Sequence, residues 1–358
     1  MRSICMASDQ KIRIGVIGAG GHSKRRVLPE LNEITEVELI AVANKSKEST
    51  DEVAAKFGFE RTEENWENIV NSDDIDLIYN GTQAPEHHDI ILKSIANNKH
   101  VFTMNPLAMT SQQGEEIVKA LQENPDVKFK QYPSFAQHPY AREDEVVLDI
   151  IKSKRLGKIL AANVTWHTPY LALASYQEVM HRWIGNHERV LGYRKQYEIA
   201  GQTIHGRPVK RGITSVLAEI ENNISVTYTH STVISEIPRN PRVEIHGEDA
   251  SLIVYAGALS YASQDEGELN NEKPSIFISN SDTGQMEPVE LPNHLASSWS
   301  DPRGVLVEKQ FIAWLLNGAT PSPILLDAVT ALKSLDFAEG FVASLRQENT
   351  WIDLPDRS

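Results

Sequence analysis

IRIGVIGAGGHSKRR, residues 12–26, is a short apolar run that breaks at glycine and passes straight into a helix-compatible segment. That order predicts a strand, a phosphate loop and a helix start. Gly18, Gly20 and Ser23 fall on the small-residue positions of G-x-G-x-x-G/A. In that pattern the first permits the tight turn, the second lets backbone approach a pyrophosphate, and the third keeps the helix close to the strand. The helix amides then face the anion, where partial positive charge already sits. A glycine turn between a strand and a helix is the plain alternative. The stretch gains its dinucleotide-binding reading from position: it directly follows the first apolar strand, and a whole alternating α/β region comes after it.

Outward from the loop, apolar runs alternate with polar, helix-compatible segments as far as residue 131, the pattern of βαβ units on a parallel sheet. Residues 37–43 read as the second strand. Thr50, ahead of Asp51 and Glu52, reads as a hydroxyl cap with an acidic first turn. Residues 65–70 form a short helix and residues 76–79 start the next buried strand. Pro85 suits the first turn of a helix reaching about Asn97, and a strand follows at 100–103. Thr110 or Ser111 caps a helix that ends near Asn124-Pro125, and residues 127–130 close the series. About six strands result, enough for a complete dinucleotide-binding sheet over residues 11–131.

After Tyr132-Pro133 the texture changes. Residues 141–152 read as a helix, but 158–168, 213–221 and 224–237 are extended runs rich in Val, Ile and Thr. With no helices between them, they predict an open, mainly antiparallel sheet. Residues 262–302 read as hairpins and loops, and two helices near 305–316 and 326–346 finish the chain. The fold class is therefore α/β, with residues 132–358 forming a second α/β domain for substrate binding and oligomerisation. An open antiparallel sheet face tends to be covered by another subunit, so a homodimer or homotetramer is expected.

Bulk properties narrow the field. The 358 residues are long for one compact core, and a net charge of −14 argues against nonspecific nucleic-acid or anionic-membrane binding. Lys24, Arg25 and Arg26 nevertheless make a local basic site beside the glycine loop. The single cysteine, Cys5, lies in residues 1–10, read as a disordered leader, so an intrachain disulfide is impossible and a reducing, cytoplasmic setting fits. That leader lacks the apolar core of a secretory signal, and no run approaches the roughly 18 apolar residues of a membrane span. Sequons at Asn44, Asn80, Asn163 and Asn223 then read as accidental.

The second-strand terminus bears on cofactor choice. An acidic residue there accepts bonds from the adenosine ribose and repels a 2′-phosphate. Here it is followed by Asn44, Lys45 and Ser46, with no carboxylate and a cation next door. That favours NADP over NAD, the plain alternative being a loop lysine in solvent.

The chain resembles the Gfo/Idh/MocA family of sugar and cyclitol oxidoreductases over nearly its whole length. Three signatures line up: the GAGGHS loop, which includes Gly21 and His22; then Gly81-Thr82-Gln83-Ala84-Pro85-Glu86-His87; then residues 99–108, KHVFTMNPLA. They resemble the family's G-x-G-x-x-G/A, T-P-x-x-x-H and G-K-H-V-x-x-E-K-P-x-A. Residues 155–159 and 247–252 resemble its later G-x-x-G-K-V and G-x-x-G-x-L segments. The resemblance implies a Rossmann domain followed by an open-sheet α/β domain. With the loop readings, it assigns cofactor contact to Gly18, Gly20, Gly21, His22, Ser23, Asn44, Lys45, Ser46, Gly81, Thr82, Gln83, His87, Asn105 and Pro106.

Departures from the family pattern matter equally. Where the family has E-K-P, this chain has Met104-Asn105-Pro106, and Asn105 can donate a hydrogen bond but brings no charge. The counterpart of the family's D-x-x-x-H is Gln177-Glu178-Val179-Met180-His181, which keeps the histidine and replaces the aspartate. Ala136 stands where many members have arginine. By this resemblance His181 is the proton acceptor, since imidazole titrates in the useful range, while Asn105 and Gln177 orient the substrate hydroxyl. Trp166, His167, Tyr170 and Tyr176, with Trp183, offer aromatic and polar surface to a sugar ring, or else pack the sheet against its helices. His88 reads as a surface residue. No metal-ligand spacing occurs, so no metal site is expected.

Three functions are open to such a chain. The first is NAD(P)-dependent oxidation or reduction of a ring hydroxyl or ketone in a sugar, glycoside or cyclitol. The second is a binding or regulatory subunit that keeps the cofactor fold without catalysis. The third is a redox-neutral NAD-dependent glycosidase.

Overall fold

The computed structural model describes residues 11–133, 140–167, 173–204, 207–231, 242–255, 275–279, 283–290, 292, 307–321 and 324–357. The chain divides into two compact units, Met1–Pro133 with Leu306–Leu335, and Ser134–Val305 with Asp336–Ser358.

In the first unit, β1 (Ile12–Ile17), β2 (Val37–Ala43), β3 (Arg61–Thr62), β4 (Leu77–Asn80), β5 (His100–Thr103) and β6 (Phe129–Gln131) form one sheet in the order β3-β2-β1-β4-β5-β6. All its pairings are parallel. Both faces are covered, which is why β1 is apolar at nearly every position, with Ile12, Ile14, Val16 and Ile17 all buried. The order reverses between β1 and β4. A crevice for ligands is expected at that point, beyond the carboxyl ends of the strands.

Capping explains the helix boundaries. Ser46, rather than Thr50, caps α2 (Lys47–Phe57), accepting from the Ser49 amide. The expected cap lies a turn too late because Thr50 is buried, its hydroxyl donating to the Ser46 carbonyl and accepting from the Asn44 amide. Asn65, read as the first residue of a helix, instead caps α3 (Trp66–Val70), and of the two expected candidates Thr110 and Ser111 it is Thr110 that caps α5 (Ser111–Glu123). Between them, α4 (Ala84–Ala96) carries Pro85 in its first turn. Immediately after the glycine loop, Ser23–Val27 forms a π-helical turn that runs into α1 (Leu28–Glu33).

The first unit also recruits late sequence. Leu326, Ala328, Leu332 and Leu335 are buried with Ile91, Ile95, Val101, Ile117 and Phe129 in one core cluster. Phe311, on the helix Val307–Asn317, stacks on Phe102 with ring centroids 4.8 Å apart. Residues 306–335 group with the first unit, and the division between the units falls inside the helix Ala328–Arg346.

The second unit has a nine-stranded sheet, built on β7 (Ile159–His167), β8 (His187–Ile204), β9 (Arg207–Ile220), β10 (Ile224–Ser231), β11 (Arg242–Gly247) and β12 (Ser251–Tyr255). Shorter strands, Ser275–Ser279 with Met286–Pro288 and Ile352–Asp353, flank them at the two edges. The sheet is mainly antiparallel, as expected, but β7 and β10 pair in parallel. A helix absent from the sequence reading, α7 (Leu173–Ile184), also separates β7 from β8. It packs with α6 (Tyr140–Lys152) through buried Asp144, whose carboxylate accepts from Arg182 Nε at 2.7 Å, Arg182 Nη2 at 2.5 Å and Trp183 Nε1 at 2.8 Å. No described helix is long and apolar enough to cross a membrane.

Candidate functional site

At the switch point, two loops interlock through glycine. Gly18 has φ +80°, and a Cβ there would stand 2.6 Å from the Thr82 amide nitrogen. A Cβ on Gly81 would stand 2.6 Å from both the Gly18 carbonyl and Ser23 Oγ. The loops after β1 and β4 are therefore pressed together with no room for a side chain at either contact. Over Gly20 the situation reverses, since a Cβ there meets nothing within 4 Å. Close packing beneath and open space above is the cradle a dinucleotide phosphate needs.

Ser23 is buried, its hydroxyl 3.2 Å from that of Tyr79 and 3.4 Å from the Gly18 carbonyl. It holds the first helical turn onto the strands, the role its position in the motif predicts. The Arg25 guanidinium folds back over Gly21, with Nη1 3.2 Å from where a Cβ would lie. His22 meets Tyr132 edge-on with ring centroids 5.4 Å apart. Burial, helped by Arg26 and Arg25, pushes its pKa down to about 4, so the ring is neutral at physiological pH.

The second-strand terminus is wired differently from a ribose-binding carboxylate. Asn44 Oδ1 accepts from the Ala19 amide at 2.6 Å, while its Nδ2 donates to the Ser49 carbonyl and hydroxyl at 3.2 and 3.0 Å. Asn44 thus ties the glycine loop to the start of α2, and Ser46 is used as that helix's cap. Lys45 forms an ion pair with Glu86 at 3.2 Å. Nothing in sequence separation signals that α4 delivers the Glu86 carboxylate to the end of β2.

His87 is buried between two loops. Its Nδ1 lies 2.7 Å from the Pro106 carbonyl and its Nε2 3.1 Å from the Thr82 carbonyl. Burial lowers its pKa against the pull of both carbonyls, and a neutral ring donates to one of them at a time. His87 is therefore a brace between the loops after β4 and β5 rather than a ligand from solvent. Asn80, fully buried on β4, adds a second brace: its Nδ2 donates to Thr103 Oγ1 at 3.2 Å and its Oδ1 accepts from Thr82 Oγ1 at 2.7 Å. Asn105 is half-buried and donates to the Tyr132 carbonyl at 3.4 Å, while Pro106 and Gln83 are exposed. His88, read as a surface residue, has a side chain only 15% exposed and bonds Glu116 of α5 at 2.7 Å, because α5 packs beside α4 there.

Behind the glycine loop lies a charge cluster that the sequence reading missed. Glu30 on α1 and Glu308 on the helix Val307–Asn317 are both buried. Burial raises the Glu308 carboxyl to about 7, with Arg26 acting against that rise and Glu30 reinforcing it.

In the second unit, Gln177 and His181 stand one turn apart on α7. Gln177 is only 1% exposed, and the equally enclosed Glu178 follows it, whereas His181 keeps partial exposure. His187, at the start of β8, is pushed down to about 3 by burial and by His181 nearby; its Nε2 lies 2.5 Å from the Tyr228 hydroxyl. Trp166 is buried against His230, with ring centroids 5.8 Å apart, which makes it a packing residue rather than an open platform. His167 ends β7, and its side chain, like that of Tyr176, is outside the described residues, as are Tyr170 and Ala136. Among the described residues, no group of three His, Cys, Asp or Glu could hold a metal.

A glycine-interlocked loop set at the switch point of a six-stranded parallel sheet defines a dinucleotide-binding Rossmann domain. Residues 12–131 match the model of the Gfo/Idh/MocA oxidoreductase family with an NAD-binding Rossmann fold. It is 27% identical over 259 residues to the scyllo-inositol 2-dehydrogenase (NADP(+)) IolW of Bacillus subtilis, covering 68% of this chain and 69% of that protein. It is 28% identical over 160 residues to the dTDP-3,4-didehydro-2,6-dideoxy-alpha-D-glucose 3-reductase of Saccharopolyspora spinosa; that match spans 45% of this chain and about half of the relative, 47%. The fold is similar to that of levoglucosan dehydrogenase in complex with NADH and levoglucosan, with a TM-score of 0.74 at 17% identity, covering 97% of this chain and all of that one.

Proposed function

We propose that the protein is an NAD(P)-dependent oxidoreductase acting on a ring hydroxyl or ketone of a sugar, glycoside or cyclitol. The observation that carries this reading is the cradle at Gly18, Gly20 and Gly81, closed below and open above. Relatives named as inositol and levoglucosan dehydrogenases support the substrate class. Bound there, a nicotinamide dinucleotide supplies the hydride donor or acceptor. The loop amides of residues 21–23 and the Arg25 guanidinium would hold its phosphates, while His87 and Asn80 hold the neighbouring loops in place.

In this reading His181 takes the hydroxyl proton on oxidation and returns it on reduction. Gln177, 1% exposed, holds α7 in place in this reading. Asn105 offers an amide donor without the family lysine's charge, so less of the developing alkoxide's charge is stabilised. That loss favours one second reading, a cofactor-binding regulatory subunit. The exposed apolar side chains Tyr193, Tyr197 and Leu217 on the sheet of the second unit support a homo-oligomer.

The test is titration of NADH and NADPH fluorescence, followed by turnover on a panel of sugars, glycosides and inositols. Turnover abolished by His181→Ala, with dinucleotide binding intact, is the expected result. Binding with no turnover on any substrate, and none gained in Asn105→Lys, would establish the regulatory reading instead.

A further inference from the structure

We propose that Glu86 sets the choice between the two nicotinamide dinucleotides, opposing the 2′-phosphate by holding Lys45 and by its own charge. The inference rests on the dinucleotide-binding reading above and names a residue the binding motifs leave without a role.

β2 and β4 flank β1 in the sheet, so the loops that follow them form two walls of the crevice whose floor is the glycine loop. On the β2 wall, Asn44 is consumed by Ala19 and Ser49, and Ser46 by its helix cap. Lys45 is left to face a ligand. Its ammonium lies 3.2 Å from Glu86 Oε1 on the β4 wall, with the two side chains 77% and 39% exposed. The ion pair therefore bridges the walls where the adenosine ribose of a dinucleotide is held in such sheets. The neighbouring cations are engaged within their own surroundings, Lys24 with Glu52 and Lys47 with Asp51.

An exposed ion pair is weak, so exchanging its partner costs little. A 2′-phosphate offers Lys45 a partner of higher charge, but it must approach the Glu86 carboxylate to reach it. A ribose hydroxyl meets no such opposition. The sequence shows a cation without a carboxylate at the β2 terminus, whereas the fold returns the carboxylate from α4. The pair moderates the NADP preference that Lys45 alone would give.

The experiment measures dissociation constants for NADPH and NADH with the full chain at low salt, in wild type, Glu86→Gln and Lys45→Ala, with a thermal melt as folding control. Glu86→Gln is expected to tighten NADPH by about three- to tenfold while leaving NADH within about twofold. Lys45→Ala is expected to weaken NADPH by about tenfold and spare NADH. Equal shifts for both dinucleotides, or no shift in a folded Glu86→Gln protein, would overturn the proposal. So would selective loss of NADH binding, which would make Glu86 a ribose ligand. If wild type binds neither dinucleotide, the underlying reading fails, an outcome distinct from failure of the Glu86 role.

Discussion

Replacing Asn44 by alanine should loosen the glycine loop from the sheet that supports it. The side chain makes three contacts: acceptance from the Ala19 amide at 2.6 Å, and donation to the Ser49 carbonyl and hydroxyl at 3.2 and 3.0 Å. Ala19 is 2% exposed, so its amide would be left buried without an acceptor, a loss of about 1–3 kcal/mol. Ser49 is half-exposed, so water replaces much of what it loses and about 0.5–1 kcal/mol goes with those bonds. The total is a destabilisation of about 1.5–4 kcal/mol, concentrated where Ala19 joins Gly18 and Gly20. Denaturant unfolding should register it, and NADH titration should show at least about a tenfold loss of affinity, since the amides no longer hold one geometry. Asn44→Asp keeps the acceptor for Ala19 and places a negative charge at the start of α2, so its loss should be clearly smaller. An alanine variant within about 0.5 kcal/mol of wild type and with unchanged NADH affinity would refute the assignment of Asn44 as the tether.

Gly81→Ala should cost about 1–3 kcal/mol and weaken NADH, because the new methyl group collides with the Gly18 carbonyl and Ser23 Oγ; retained wild-type affinity would show that the loops tolerate separation. Glu308→Gln should change the pH dependence of unfolding. The folded carboxyl's pKa is raised to about 7, so its contribution is fully present below its ordinary 4.5 and is lost as pH rises to 7, about 3 kcal/mol in all. The difference in unfolding free energy between wild type and variant, followed from pH 4 to 8, should change across that window and stay level on either side. His22 and His187, pushed down by burial, give the opposite slope in both proteins and cancel from that difference. Asp144→Ala should destabilise the second unit by about 3–5 kcal/mol, since Arg182 would keep a largely buried charge without its carboxylate; a loss below about 1 kcal/mol in chemical denaturation would argue against that buried network.

Much of the first unit was legible because its signals are local. Strands covered on both faces read as continuous apolar runs, and a cap such as Thr110 acts within three residues of itself. Thr50 misled because a hydroxyl before acidic residues looks the same whether it caps a helix or is buried beneath one. The region of α7 and β8 gave no comparable signal, and the parallel pairing of β7 with β10 depends on a crossover that no short window contains. The site divides in the same way. The tight turn at Gly18 and the close packing of Ser23 were legible from spacing, whereas the bracing role of His87 depends on carbonyls of two separate loops.

By itself, the sequence determined that a strand, a glycine turn and a helix follow one another at residues 12–26, and that a parallel α/β unit is built around them. These are consequences of backbone freedom, apolar periodicity and capping, all of which act between near neighbours. Tertiary structure alone decided that residues 306–335 complete the first unit's core and that Asn44 is a tether. It also decided that Glu86 stands against Lys45 and that Glu308 is enclosed behind the loop. Charge and burial are properties of a place in three dimensions, and the groups that set them come from parts of the chain that meet only on folding.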